Sequence, residues 1–254
     1  LIFTLVVRGW FAEFVIVALT FIAMYENYRA LKKAGYAVCE WGGYVATAAM
    51  WPLSRLMGVL DPLLLLVAAM GVSMTGVMLH EKPAFPDAAA SVYPLLTCFL
   101  PMSMFMMMMN STYGVVPGIA LITMAFAIAY AGDGAAYFGG RALGRHKLCP
   151  NVSPKKTVEG AIFGGIGGTL AGLACRAVFV YVFHMQMPGI PATIALGLIG
   201  SAAGEIGDLA ASLLKRHSGI KDYGHIFPGH GGVMDRFDSV IFTLIVMYCY
   251  TLVL

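Results

Sequence analysis

Eight long apolar runs separated by short polar gaps constrain this chain more than any other feature. A membrane span needs about 20 mostly apolar residues. The runs fall at 1–24, 42–59, 61–79, 90–110, 113–138, 160–184, 189–214 and 238–254. No polar interval is long enough for a separate soluble domain. Hydrophobic residues make up 59% of the chain, charged residues 11%, and the mean hydropathy is +0.81. One soluble core of 254 residues cannot hide that much apolar surface. The expected fold is all-α: a polytopic integral membrane protein with eight transmembrane helices in one membrane domain over 1–254. Asp61-Pro62, between the second and third runs, reads as a tight hairpin turn. The chain opens on Leu1 rather than Met, so the first run has no fixed start. No basic n-region marks a signal peptide.

Lys and Arg set the orientation. The gaps after the first, third, fifth and seventh runs share one side. They hold 13 of the 16 basic residues, from Arg29, Lys32 and Lys33 to Lys215, Arg216, Lys221 and Arg236. The opposite gaps hold none. By the positive-inside rule the basic gaps are cytoplasmic. A net charge of +3 is too small to imply a nucleic-acid partner.

Some features read as packing rather than chemistry. Gly160, Gly164, Gly168 and Gly172 line one face of the sixth span, where small residues let helices approach closely in lipid. A phosphate-cradling loop is the sharper alternative for EGAIFGGIGGTLAG, but no strand is expected before it and no Walker lysine follows. The methionines at 106–109 fill core or face lipid. Five scattered cysteines without CxxC spacing read as reduced residues, not a zinc site or disulfide frame.

Charge inside a bilayer is costly and usually functional. Asp133 lies near the cytoplasmic end of the fifth span, Glu205 and Asp208 in the cytoplasmic third of the seventh, and Asp235 and Asp238 at the start of the eighth. Three spans thus present carboxylates on one side, although the orientation rests on Lys and Arg alone. Asp208 and Ser212 are four apart and share a helix face, with Lys215 a further turn along. Asp235 and Asp238 are three apart. Such carboxylates suit a hard cation such as Mg²⁺; ordinary capping by Asp238 or Ser239 is the alternative for the pair. Glu205 fits a functional role and a packing role equally, and Glu13 carries less.

The two long basic gaps face these acids. They read GRALGRHKLCPNVSPKKTVEG and KRHSGIKDYGHIFPGHGGVMDRFD. Ser153-Pro154, Pro228-Gly229 and Gly231-Gly232 shape backbone beyond what orientation needs. Phosphates satisfy such a set: Lys and Arg neutralise phosphoryl oxygens, Mg²⁺ bridges them, and glycines let N–H groups approach. His230 fits either a phosphate contact or the turn.

These residues resemble the signature of phosphatidate cytidylyltransferases, the CDP-diacylglycerol synthases. The pattern is Ser212-x-x-Lys215-Arg216, Lys221-Asp222, Pro228-Gly-His230-Gly-Gly and Asp235-Arg236-x-Asp238, over 27 residues. A second stretch agrees: Gly132-Asp133, Ala136-Tyr137, Gly140-Arg141, Gly144-Arg145, Pro150, Ser153-Pro154, Lys156-Thr157 and Gly160. Together they cover about a third of the chain. Residues 111–254 then form the catalytic half, and 1–110 are helices without an assigned role. The resemblance implies a membrane enzyme that condenses CTP with phosphatidic acid to CDP-diacylglycerol and pyrophosphate, working as a homodimer with Mg²⁺ and a second cation, K⁺. It points to Asp208, Asp235 and Asp238 as metal acids, with Asp133 as a further candidate. Lys215, Arg216, Lys221, Asp222 and Ser212 are the expected catalytic residues. Arg141, Arg145, Ser153, Lys156, His230 and Arg236 are the expected substrate-binding residues. The expected setting is a bacterial inner membrane, with the active site facing the cytosol.

Two rivals fit less well. A transporter would use Asp133, Glu205 and Asp208 as a relay, but the halves show no inverted repeat. A CDP-alcohol phosphotransferase would need a D-G-x-x-A-R helix, which Asp133-Gly134-Ala135-Ala136-Tyr137 begins but does not complete.

Overall fold

The computed structural model describes residues 10–53, 61–110, 117–226, 229 and 231–253. The chain is built from α1 (Trp10–Lys33), α2 (Trp41–Leu53), α3 (Asp61–Met78), α4 (Phe85–Pro94), a π-helical turn (Leu95–Phe99) and α5 (Leu100–Asn110). Then come α6 (Gly118–Leu143), β1 (Lys147–Cys149), β2 (Ser153–Thr157), α7 (Val158–Tyr181), α8 (Ile190–His217) and α9 (Met234–Thr251). Each of the eight expected spans overlaps a helix. Among the described residues, five are long and apolar enough to cross a membrane: α1, the run Phe85–Met109, α6, α7 and α8. The protein is an all-α membrane protein. α3 is shorter, and α9 carries Asp235, Arg236 and Asp238 within its 18 residues.

Helix ends differ from the hydropathy edges. α1 continues to Lys33 rather than stopping near residue 24, and α9 starts at Met234 rather than 238. A helical ladder does not break where hydropathy falls, so YENYRALKK stays helical with Lys32 and Lys33 in its last turn. Asp61 and Pro62, expected as a turn, instead open α3; Pro is tolerated there because first-turn N–H groups need no helical partner. The rest of that connection, 54–60, lies outside the described residues. The π turn sits between Pro94 and Pro101, whose missing N–H groups interrupt the α ladder.

The chain divides into two compact units. The first comprises Leu1–Met107 and Leu214–Arg236, the second Met108–Leu213 and Phe237–Leu254. In the first, α1 packs beside α2, α4 and the π turn, and α3 beside α2 and α4. Tyr28, Phe99, Phe105, Met102 and Met106 are fully enclosed, so this part of the methionine run is core. Glu13, inside α1, accepts a hydrogen bond from the Trp51 indole at 2.5 Å.

The second unit is organised by glycine. The buried residues of α7 are Gly160, Gly164, Gly168 and Gly172. They lie against α6, at Gly140, Ala136, Gly132 and Ile128. The outer face of α7 shows Ile162, Ile166, Leu170 and Tyr181. This is the reverse of a soluble helix: small residues bury so that backbones can close up, and bulky apolar residues meet lipid. The stripe therefore packs within the chain. A strand, β2, does run directly into this segment, contrary to expectation. The glycines nevertheless lie along a helix face rather than in a loop, so they form no phosphate cradle. Gly207 of α8 likewise admits α9, where a methyl would strike the Asp238 carbonyl and the Phe242 ring, and Gly204 brings α8 close to Thr243 and Ser239.

The basic gap after α6 folds into the antiparallel pair β1–β2, with Lys147 opposite Thr157 and Cys149 opposite Ser153. The pleat turns Lys155 outward and Lys156 inward. Thr157 caps α7 by accepting from Gly160 N–H at 3.1 Å. Glu159 accepts the main-chain N–H groups of Arg145 (3.0 Å) and His146 (3.2 Å), which ties the hairpin to the helix start. All five cysteines are free thiols.

Candidate active site

In the second unit, Lys156 is the centre of the charged groups. Its ammonium lies 2.9 Å from Glu205 and 2.7 Å from Asp208, two carboxylates one turn apart on α8. Burial works against the Lys156 charge, but the Asp208 carboxylate, helped by Glu205, outweighs it and holds the group above the ordinary lysine range. Ser212 donates to Asp208 at 3.4 Å, so the expected four-residue pairing is present. Asp133 accepts from the Ser239 hydroxyl at 2.8 Å. Asp238 accepts the Ser239 N–H at 2.9 Å, at the start of α9's stretch in this unit. Asp133 and Glu205 line a cavity of about 320 Å³ whose other walls are mostly apolar or glycine, among them Gly132, Gly164, Gly165, Leu198 and Leu209.

Ser153 begins β2, three residues before Lys156. Arg141, in the last turn of α6, and Arg145 both precede β1 and are exposed. Glu205, left open between packing and function, is part of the charged cluster.

In the first unit, Asp235 is the anchor. One carboxylate oxygen accepts from Lys215 at 2.9 Å. The other accepts main-chain N–H groups from Tyr223 at 2.7 Å and Gly232 at 3.0 Å. Three of the four acceptor positions of an ionised carboxylate are therefore in use. Side-chain exposure is 16% for Lys215 and 7% for Asp235, so the pair is held largely out of water. The ammonium also stands 5.5 Å from the centre of the Tyr223 ring. Gly231 has a positive φ of 82°, and a side chain there would run into Asp235. Arg216, Lys221, Asp222 and Arg236 are exposed around this segment; Pro228 and His230 lie outside the described residues.

Sequence reading missed Glu26 and Arg29. Glu26 accepts the N–H groups of Val233 (3.1 Å) and Met234 (2.8 Å), and Arg29 donates to the Tyr223 carbonyl. Their signal was an acid within a membrane helix, hidden because the first span was ended at residue 24.

A family model described as "Cytidylyltransferase family" matches residues 1–254. The chain belongs to this family. It is similar to proteins named phosphatidate cytidylyltransferase. With that of Bacillus subtilis it is 41% identical over 131 residues, 52% of this chain and 47% of the relative. With that of Staphylococcus aureus (strain COL) it is 42% identical over 127 residues, 50% of this chain and 47% of the relative. With that of Staphylococcus epidermidis it is 44% identical over 127 residues. These matches span about half the length of each relative.

The carboxylates of both units supply hard oxygen donors, the kind Mg²⁺ takes. Among the described residues, however, no group of three or more acids, histidines or cysteines is placed to hold a metal ion. Lys156 supplies positive charge between Glu205 and Asp208.

Proposed function

We propose that the chain is a phosphatidate cytidylyltransferase. It joins CTP to phosphatidic acid, giving CDP-diacylglycerol and pyrophosphate. The observation that carries this reading is the Lys215–Asp235 pair. Two residues of one 27-residue signature, 20 apart in sequence, meet in a largely buried ion pair braced by two backbone N–H groups. Such a pair fixes a lysine where a phosphate can be met, which a mere orientation signal would not require.

In this reaction the lipid phosphate monoester attacks the α-phosphorus of CTP, and pyrophosphate leaves in line. The attacking group is already ionised near neutral pH, so no general base is needed. Positioning and charge neutralisation carry the rate. Lys215, Arg216 and Lys221 neutralise phosphoryl oxygens, and Asp235 orients Lys215. Lys156 balances Glu205 and Asp208, and the resemblance gives Arg141, Arg145, Ser153, His230 and Arg236 substrate-binding roles. The mostly apolar cavity that Asp133 and Glu205 line suits the lipid end of the substrate.

The Mg²⁺ requirement, with K⁺ as a second cation, rests on the resemblance and on the oxygen donors of Asp133, Asp208, Asp235 and Asp238. When bound, Mg²⁺ supplies charge neutralisation to the phosphates. The homodimer, the bacterial inner membrane and the cytosolic orientation are part of the same reading; the basic gaps support the last.

The test is pyrophosphate release by detergent-purified protein supplied with CTP, phosphatidic acid and Mg²⁺. Release that needs all three is the expected result. A folded protein that releases none in a lipid background where a known member is active overturns the reading.

A further inference from the structure

We infer that Glu26, with Arg29, is a positioning residue for the signature segment, holding Tyr223 on one side and Val233 and Met234 on the other so that Asp235 meets Lys215. The role in turnover rests on the function proposed above; the anchoring itself does not.

The first N–H groups of a helix have no partner within it. At the start of α9 these include Val233 and Met234, both buried. Water is not at hand, so leaving them unpaired costs free energy. Glu26 meets both, one oxygen to each, from a side chain that is itself 2% exposed. The two oxygens of one carboxyl group are spaced to accept two neighbouring N–H groups at once, which a main-chain carbonyl is not. This cap comes from 207 residues away in sequence, so it ties the tertiary structure together rather than finishing a local turn.

Two glycines are shaped around it. A methyl group on Gly224 or on Gly232 would overlap the Glu26 carboxylate. The second glycine of the Gly231-Gly232 pair is thus required by Glu26, and the first by Asp235 and by its positive φ.

Arg29, one turn further along α1, secures the other end. Its guanidinium donates to the carbonyl of Tyr223. The N–H of that same residue donates to Asp235. Met234 is fixed as well, with its sulfur 3.6 Å from the Cys98 thiol, which Asn27 of α1 also touches. Two adjacent turns of α1 therefore grip the two stretches, at Tyr223 and at Gly232–Met234, whose Tyr223 and Gly232 N–H groups bind Asp235. The N-terminal helices, without a role in sequence terms, act here as the frame of the signature loop.

The test compares the full-length protein with Glu26→Gln and Glu26→Ala. Glutamine keeps the shape and one acceptor but turns an NH₂ toward the second N–H group. Turnover is expected to fall at least tenfold in Glu26→Gln and further in Glu26→Ala, with KM for CTP within threefold. Hydrogen exchange provides the second readout. In Glu26→Ala the amides of 223–234 should exchange at least tenfold faster, while α1 and α4 stay protected. Wild-type turnover in folded Glu26→Ala overturns the role in the reaction. Unchanged exchange at 223–234, or loss of protection throughout the first unit, overturns the local anchoring. If the wild type itself releases no pyrophosphate, the functional reading fails, and exchange alone decides whether Glu26 holds the turn.

Discussion

Replacing Asp235 by Asn tests the candidate site most directly, because the amide is nearly isosteric and its failure can be traced atom by atom. The carboxylate accepts from Lys215 on one oxygen and from two main-chain N–H groups on the other. An amide has one oxygen and an NH₂. If the oxygen faces Tyr223 and Gly232, the NH₂ confronts the Lys215 ammonium. If it faces Lys215, the NH₂ confronts two donors. Either way at least one charge-assisted bond is lost and a donor–donor contact is made. A hydrogen bond to a charged group contributes about 1.5–3 kcal/mol, and the pair is too enclosed for much solvent screening. A loss of about 2–4 kcal/mol in positioning corresponds to roughly 30- to 1000-fold in rate. The assay is pyrophosphate release at matched amounts of folded protein, with helix content checked by circular dichroism. Lys215→Met and the double variant complete a cycle. If Asp235 acts through Lys215, the double variant is hardly slower than Lys215→Met alone. Turnover of Asp235→Asn within threefold of wild type would refute the argument.

Other outcomes follow from the second unit. Lys156→Met leaves Glu205 and Asp208 without their counter-charge; at 18–29% side-chain exposure the cost is about 2 kcal/mol, seen as a lower midpoint in thermal unfolding. Because the Lys156 pKa is raised in the folded state, its stabilisation is fully present below the ordinary lysine value and is lost as pH climbs through the raised one. The midpoint gap between Lys156→Met and wild type should thus stay constant from pH 6 to 9; a gap that closes within that range contradicts the ion pairs. Gly168→Leu forces a side chain into Ser201 and the α6 backbone at Ile128, at an overpacking cost of about 1–3 kcal/mol or more; unchanged thermal stability in detergent would mean the stripe does not pack as described. Removing divalent ions with EDTA should stop pyrophosphate release, and excess Mg²⁺ should restore it; release that survives chelation would exclude a metal requirement.

Hydropathy and the bias of Lys and Arg were enough to read a helical membrane protein, because lipid leaves a backbone few options: each N–H and C=O must be satisfied within the segment. The glycine stripe was equally legible, since a four-residue repeat is a helix face wherever the helix sits. Asp208 with Ser212 belongs to the same class. The signature spacing pointed to Lys215 and Asp235, though not to their direct contact. Helix ends were less legible, since hydrogen-bond ladders outlast the apolar run that starts them. α1 is the instructive case: nine residues beyond its apolar edge carry Glu26 and Arg29.

What only the tertiary structure decided are the pairings between distant segments. Lys156 meets Glu205 and Asp208 because a strand pleat turns it inward while its neighbour Lys155 faces out. No spacing rule connects a hairpin to a helix some 50 residues on. Glu26 meets Val233 and Met234 across most of the chain for a similar reason. Unpaired N–H groups at a buried helix start must find an acceptor, but which one they find depends on what the fold brings within hydrogen-bond reach, here 3.1 and 2.8 Å. Sequence by itself determined the elements, the solvent they live in and the kinds of charge they carry, because those depend on local periodicity and on transfer between water and lipid. Which charges neutralise which was left to packing, because that depends on distances that composition and order along the chain do not contain.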